Sequence, residues 1–161
     1  VTPVQSRTQF SMWAILAAPL LIGVPVPTIS DYDLQTYSNQ DVIDLNQDPL
    51  VQQGEPIFSD CPRYKKKGQV DECAQMWMRN LTGGDKGFMM VNWASKPRLL
   101  QCDAPCLAKM GFVCGTNATD LWAPKQIRKP VYVQQITRTV APNGGSFLFR
   151  LHQPTQDCSH L

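Results

Sequence analysis

The stretch that decides the fold is SRTQFSMWAILAAPLLIG, from Ser6 to Gly23. Ser6 and Gln9 make a capping-box pattern, in which each side chain can satisfy a free backbone N–H at the start of a helix. Apolar residues then recur at helical spacing, at Phe10, Trp13, Leu16 and Ala17. Pro19 ends this predicted helix, because proline lacks a backbone N–H and clashes with the preceding turn.

The apolar run Leu20–Ile22 predicts a short strand buried on both faces, which Gly23 ends. A helix that leads into such a strand indicates an α/β unit. The wider apolar stretch Ser11–Val26 is too short for a membrane span, is interrupted by Pro19 and Pro25, and is followed at once by Pro27. A mature chain would not keep a signal peptide, so we interpret the stretch as a buried helix and strand. Val24–Pro27 is predicted to be extended.

Two short helices are predicted next. Ser30 with Asp33 can cap the first, through about Tyr37. Ser38 with Asp41 begins the second, and the turn signal Asn-Gln-Asp-Pro then closes this part. We place a domain boundary near residue 50.

The second half, residues 51–161, predicts an antiparallel β-sandwich. It shows no long helical periodicity, and short alternating runs are separated by Gly- and Pro-containing turns. The turns are at Thr82–Asp85 and Asn143–Gly145. The predicted strands are Gln75–Arg79, Phe88–Trp93, Val131–Val140 and Ser146–Leu151. No internal repeat is visible.

Composition and charge exclude several classes of function. The 161 residues carry a net charge of +2, which does not favour nucleic acid or an anionic membrane as partner. With 43% hydrophobic residues the chain can bury a core and is not predicted to be disordered. The longest basic run, Lys65–Lys67, is best interpreted as a solvated loop tip. Because the chain begins with valine, we expect it to be part of a longer precursor.

The cysteines and sequons predict a secreted, extracellular or lysosomal location. The even number of cysteines suits an oxidising compartment; they are Cys61, Cys73, Cys102, Cys106, Cys114 and Cys158. Asn80 and Asn117 begin two glycosylation sequons. Zinc is not predicted, since Cys102 and Cys106 lack a second matching pair and the two histidines, His152 and His160, lie near the end. Six cysteines admit 15 pairings, which the residues alone leave open.

Five segments, taken in order, resemble glycoside hydrolase family 27, the α-galactosidases and α-N-acetylgalactosaminidases. Two are specific, Arg7–Ile22 and the stretch DVIDLNQDPL at Asp41–Leu50. Three weaker ones follow, at Cys102–Cys106, Asp120–Trp122 and Ala141–Leu151. The resemblance covers essentially the whole chain.

The resemblance implies that residues 1–50 form the end of a (β/α)8 barrel and that a β-sandwich domain follows. The family's members are retaining glycosidases with two catalytic carboxylates. These lie on earlier barrel strands, so no catalytic residue, metal or cofactor is assigned to this chain. The family usually continues after strand eight with Asp-Leu-Arg, where this sequence has Val24–Pro27. That departure fits either a divergent active lineage or a member that lost catalysis.

The resemblance also implies a tight disulfide between Cys102 and Cys106. A Cys61–Cys73 bond would close an apparently enlarged loop, and Cys114–Cys158 is the pair then left over. This connectivity is a hypothesis.

The chain's own side chains carry weaker functional signals. The acids of the first half are more simply helix-start residues than a glycosidase pair; they are Asp31, Asp33, Asp41, Asp44 and Asp48. The tryptophans could form a sugar platform, but core packing is the commoner role; they are Trp13, Trp77, Trp93 and Trp122. His152 is predicted to follow the last strand on the surface.

Two functional hypotheses follow. In the first, the chain is the C-terminal fragment or processed chain of an α-galactosidase-like enzyme acting on terminal α-galactosides. Its obligate partner is then the upstream barrel portion, and dimerisation is conceivable because dimers occur in the family. In the second, the fold serves as a non-catalytic structural or carbohydrate-binding component of an extracellular assembly. Upstream residues, rather than this chain, would choose between galactose and N-acetylgalactosamine.

Overall fold

A computed structural model describes residues 1–64, 67–68, 71–153 and 158. Its helices are α1 (Pro3–Ile15), α2 (Asp31–Tyr37), α3 (Gln40–Asn46) and α4 (Ala104–Lys109). Its strands are β1 (Glu55–Ser59), β2 (Ala74–Asn80), β3 (Lys86–Asn92), β4 (Arg98–Cys102), β5 (Thr116–Asp120), β6 (Val131–Val133), β7 (Ile136–Val140) and β8 (Gly145–His152). Single 3-10 turns lie at Val26–Thr28 and Thr82–Gly84. The chain is thus mostly β-sheet with a few helices. Lys65 and Lys66 of the predicted basic tip, and His160, lie outside the described residues.

The strands form two antiparallel sheets. The larger has the order β1-β2-β3-β8-β5-β6, and the smaller pairs β4 with β7. Three of the four predicted strands are found, as β2, β3 and β8. The fourth prediction was wrong, because Val131–Val140 is two strands: β6 pairs with β5 in the larger sheet and β7 with β4 in the smaller. The β-branched residues predicted a strand, but the point where the chain crosses between sheets depends on packing.

Strand β3 is buried on both faces and separates two apolar cores. Phe88 and Met90 belong to a core that also holds Leu100 and Ile136 of the smaller sheet and Leu107 of α4. The next residues along β3 face the opposite side, as the period of two requires. These are Met89 and Val91, whose core is completed by α1, α3 and Leu148 of β8.

Helices α1 and α3 lie directly on the larger sheet. Phe10 and Ile15 of α1 are fully buried, as is Leu45 of α3. The fit is close at Gly87 of β3, where an added Cβ would lie 3.2 Å from both Ile15 and Leu45. The helical half therefore shares its core with the sheet, while a domain boundary near residue 50 stays a prediction.

The start of α1 differs from the prediction. The helix begins at Pro3, and its capping box is formed by Thr2 and Gln5 instead of Ser6 and Gln9. Proline at the first helical position favours this start, because its fixed φ suits the helix and its missing N–H needs no partner there. Ser6 is buried inside the helix. The second helix begins at the predicted place, with Ser30 as its N-cap.

The predicted buried strand at Leu20–Ile22 was wrong for this structure. These residues form no sheet hydrogen bonds, and the side chains of Leu21 and Ile22 are 79% and 43% exposed. A barrel strand needs a parallel neighbour on each side, and every strand pair in the described part of the chain is antiparallel. The apolar pattern is present without the partners that would bury it.

Candidate functional site

Arg79 is the only charged residue among the largest fully buried side chains of the described structure. It lies on β2, with its side chain directed toward the helices. One guanidinium nitrogen donates to the carbonyl of Ala14 at 2.6 Å, and also to those of Leu45 at 2.8 Å and Asn46 at 3.1 Å. These carbonyls end α1 and α3, where a helix has unpaired acceptors and partial negative charge. Arg79 thus ties both helix ends to the sheet.

Asn46 and Asp48 extend this buried polar junction. The Asn46 amide donates to the carbonyls of Trp13 at 3.1 Å and Ala18 at 2.9 Å. The Asp48 carboxylate accepts from the backbone N–H and the hydroxyl of Thr82, both at 2.9 Å. The sequence stretches Arg7–Ile22 and Asp41–Leu50 therefore meet at one place, which we call the junction (Ala14, Ala18, Leu45, Asn46, Asp48, Arg79 and Thr82).

The charges of the junction influence each other. Burial alone would raise the pKa of Asp48, but hydrogen bonds from Leu50 and Thr82 and the charge of Arg79 outweigh it, so the pKa lies below its usual value. Burial lowers the pKa of Arg79, and Asp48 opposes that shift. The guanidinium remains charged, since arginine is not deprotonated in proteins.

An exposed apolar segment leaves the junction at Ala18. Over Pro19–Pro27 four branched apolar side chains face solvent: Leu21 (79% exposed), Ile22 (43%), Val24 (39%) and Val26 (74%). Monomeric surfaces rarely leave several large apolar side chains together, and such a patch marks an interaction site. The Asn46 amide holds the start of this segment through the carbonyl of Ala18.

The acids of the first half take separate roles. Asp33 accepts from the Ser30 hydroxyl at 2.9 Å, at the start of α2. Asp41 forms an ion pair with Arg128 at 2.5 Å, and Asp44 accepts from Gln40 at 2.6 Å. Asp31 lies in the first turn of α2.

The four tryptophans pack against the helix-side core. Three of their indole N–H groups have partners within the fold. Trp122 donates to Ser11 at 2.8 Å and Trp93 donates to Gln75 at 3.0 Å. Trp77 donates more weakly to the same Gln75 at 3.4 Å. Core packing, predicted as the commoner role, describes all four.

The prediction that His152 follows the last strand on the surface was wrong. His152 is the last residue of β8, and its ring nitrogen lies 2.9 Å from the Thr119 hydroxyl. Burial lowers its pKa below the usual value; Asp85 opposes this shift and Arg150 adds to it. The strand β8 ends at His152, one residue beyond the predicted end at Leu151.

The cysteines pair in the structure as Cys61–Cys73, Cys102–Cys106 and Cys114–Cys158, with Cα atoms 4.9, 5.1 and 5.6 Å apart. These separations lie within the usual disulfide range. A carboxylate oxygen of Asp60 lies within 4.8 Å of both sulfur atoms of the Cys61–Cys73 pair. Its carboxylate is already engaged by Arg98 and by the N–H of Ala74, each at 2.6 Å.

The two sequon asparagines lie in strands. Asn80 ends β2; its amide donates to Gln52 at 2.9 Å, and Lys86 donates to its oxygen at 2.6 Å. Asn117 lies within β5, opposite Tyr132 on one side and His152 on the other.

Sequence reasoning missed the junction. A signal was present, since Trp77 and Arg79 share the face of β2 opposite Met76 and Met78. An arginine on a face with tryptophan is more often solvent-exposed, and only the packing of the helices shows that Arg79 is enclosed.

Comparisons with known proteins agree with one another. A family model described as alpha galactosidase A matches residues 1–48. The chain is 33% identical over 137 residues to the alpha-galactosidase of Oryza sativa subsp. japonica, covering 85% of this chain and 29% of that protein. It is 31% identical over 121 residues to alpha-galactosidase 3 of Arabidopsis thaliana, covering 75% and 26%. Its fold matches the alpha-galactosidase of Saccharomyces cerevisiae with a TM-score of 0.77 at 19% identity, covering 96% of this chain and 44% of that one.

These matches define the class of protein as a glycoside hydrolase relative. Within that class, the chain belongs to family 27, the α-galactosidases. It spans between 26% and 29% of the length of the two plant relatives.

Proposed function

We propose that this chain is the C-terminal part of a retaining glycoside hydrolase acting on terminal α-galactosides, with both catalytic carboxylates on an upstream barrel portion. The observation that carries the proposal is the exposed segment Pro19–Pro27. Its apolar run has the composition of a buried parallel strand. The junction anchors the start of the segment, which has no strand partner among the residues that the structure describes. Residues 1–50 are then the end of the barrel, and the sheets form the appended domain.

The upstream portion would cover this segment by pairing with it. Burying a leucine or isoleucine side chain contributes roughly 1.5–3 kcal/mol. Backbone pairing on both sides would also satisfy N–H and C=O groups that now face solvent. Association of the two portions is therefore expected to be obligate for a closed barrel.

Association and hydrolysis test the proposal together. The chain is produced with its upstream portion as two separate polypeptides, and recovery of chromogenic α-galactoside hydrolysis is measured. Leu21→Asp is expected to weaken association at least tenfold, because it places a charge within the barrel wall. Leu99→Asp is the matched control, since Leu99 is 67% exposed on β4, away from the segment.

Two results would defeat the proposal. In one, Leu21→Asp associates and restores hydrolysis as well as Leu99→Asp does. In the other, mass spectrometry of the native protein finds upstream peptides in which the two catalytic carboxylates are replaced. The second result would support a non-catalytic component, a hypothesis that the α-galactosidase relatives do not favour.

Location and modification belong to the same proposal. Three disulfides suit a secreted, extracellular or lysosomal compartment. Glycosylation at Asn80 and Asn117 stays a prediction, as does dimerisation. No helix in the described ranges has the length and apolar character needed to cross a membrane.

A further inference from the structure

A cleft lies at one end of the fold, between the two sheets. Strands β5 and β6 of the larger sheet and β7 of the smaller one form its walls, and the loop 121–130 lies at its mouth. Its volume is about 170 Å³. Apolar side chains line much of it: Ala118, Val133, Ile136 and Phe149.

Two opposite charges face this cleft without pairing. Asp120 of β5 and Arg138 of β7 both line it, yet no ion pair joins them in the described part of the chain. Arg138 is held over the rings of Phe149 and Phe147, 5.3 and 5.7 Å from their centroids. Asp120 is held by the N–H of Trp122 at 2.9 Å. Separate contacts thus keep the two groups apart.

Both groups retain free hydrogen-bonding capacity. Among the described residues, only one Arg138 nitrogen has a hydrogen-bond partner, the carbonyl of Thr137 at 2.9 Å, so most of the five guanidinium N–H donors have no partner there. One Asp120 oxygen accepts from Trp122, and the other has no partner among the described residues. The cleft therefore offers a strong acceptor and a strong donor on opposite walls.

The remaining charges set the kind of ligand. Arg128 is neutralised by Asp41 at 2.5 Å, and the exposed Lys129 adds one further positive charge at the rim. Asp120 would repel an anion, while Arg138 and Lys129 would repel a cation. A neutral ligand with several hydroxyl groups satisfies both walls, since a hydroxyl both donates and accepts.

We propose that this cleft is an accessory saccharide-binding site, which holds one neutral sugar unit. Hydroxyls of the sugar donate to Asp120 and accept from Arg138, and its C–H face packs on Ile127 and Val131, which line the cleft and are 65% and 55% exposed. The volume corresponds to about six water molecules at roughly 30 Å³ each. It thus admits one sugar ring and is smaller than a typical pocket for larger ligands.

Binding of simple sugars to the full-length protein tests this site. Glucose and mannose are titrated by ligand-observed NMR, with glucuronic acid and glucosamine as the anionic and cationic analogues. Neutral sugars are expected to bind with a dissociation constant of about 1 mM, the range of a few polar contacts. Asp120→Asn and Arg138→Gln are each expected to weaken binding about tenfold, because each removes a charge-assisted hydrogen bond.

Controls separate the cleft from the catalytic site and from folding. Arg98→Gln is the matched arginine control, since Arg98 pairs with Asp60 at 2.6 Å elsewhere. The cleft variants are expected to keep wild-type hydrolysis of a chromogenic α-galactoside. Because binding is measured without turnover, the test stays valid if the protein proves inactive. If Arg138→Gln does not fold, Asp120→Asn alone carries the test, with the same expected loss of about tenfold.

Three outcomes would overturn the proposal. One is the absence of neutral-sugar binding at tens of millimolar. Another is equal binding by the wild type and the cleft variants. The third is binding of glucuronic acid alone, which would make the cleft an anion site.

Discussion

Replacing Arg79 with methionine removes the guanidinium that ties α1 and α3 to the sheet, while keeping a long apolar side chain in the core. The change leaves three buried helix-end carbonyls without their donor: those of Ala14, Leu45 and Asn46. Hydrogen bonds to a charged group contribute about 1.5–3 kcal/mol each, although bonds from one nitrogen do not add fully.

The desolvation cost of the buried Arg79 charge, which the substitution removes, reduces this loss of stability. The Nε and one terminal nitrogen of Arg79 are buried without a hydrogen-bond partner in the described structure. Removing a buried charge relieves its desolvation cost, and hydrophobic replacement of buried charges is sometimes stabilising. Because three acceptors lose their donor while only two donors were unpaired, we expect a net loss of about 3 kcal/mol.

The measurement is urea unfolding followed by tryptophan fluorescence, with the disulfides intact. All four tryptophans pack against the helix-side core, so fluorescence reports loss of the junction. Arg98→Gln is the control: it breaks a surface pair at 2.6 Å with partners 32% and 39% exposed, and we expect it to cost at most about 1 kcal/mol. A loss below about 1 kcal/mol for Arg79→Met, or a gain, would show that the desolvation cost outweighs the three bonds.

Three further predictions concern the same framework. Because the pKa of Asp48 is lowered in the folded state, its contribution to stability is complete above its unfolded pKa of about 3.9 and is lost as the pH falls through the lower folded value. The difference in unfolding free energy between wild type and Asp48→Asn, measured from unfolding curves at several pH values, should therefore be constant near neutrality and shrink in acid. A difference that grows in acid would refute the assignment. Gly54→Ala should cost about 1–3 kcal/mol, because its Cβ would lie 2.6 Å from the carbonyl of Ile15, whereas Gly23→Ala meets nothing within 4 Å and should be neutral by the same unfolding assay. Peptide mapping without reduction should recover Cys61–Cys73, Cys102–Cys106 and Cys114–Cys158, and any other pairing would contradict this connectivity.

Elements whose signals are local were predicted from the sequence. Ser30 caps α2 because its side chain reaches an N–H three residues on, a contact that depends only on local spacing. Strands β2, β3 and β8 follow from period-two alternation and from turns between them. The short strands β1, β4 and β5 and the helix α4 were not predicted, since segments of five or six residues carry little periodicity.

The two candidate sites lay beyond prediction for a different reason. Arg79 and the carbonyls it binds are 33 to 65 residues apart in sequence. The facing pair Asp120 and Arg138 comes from strands in different sheets. Contacts between residues so far apart in sequence leave no periodic pattern in it, so both sites became visible only in the folded structure.

The sequence by itself determined the family, the antiparallel character of the second half and the apolar nature of Leu20–Ile22, because these depend on residue types and their order. The tertiary structure alone decided that Leu21 and Ile22 are exposed, that Arg79 is enclosed and that β6 and β7 lie in different sheets. Burial and strand pairing depend on which distant segments are present to pack against a residue. An apolar run can therefore specify a strand whose formation still depends on partners elsewhere.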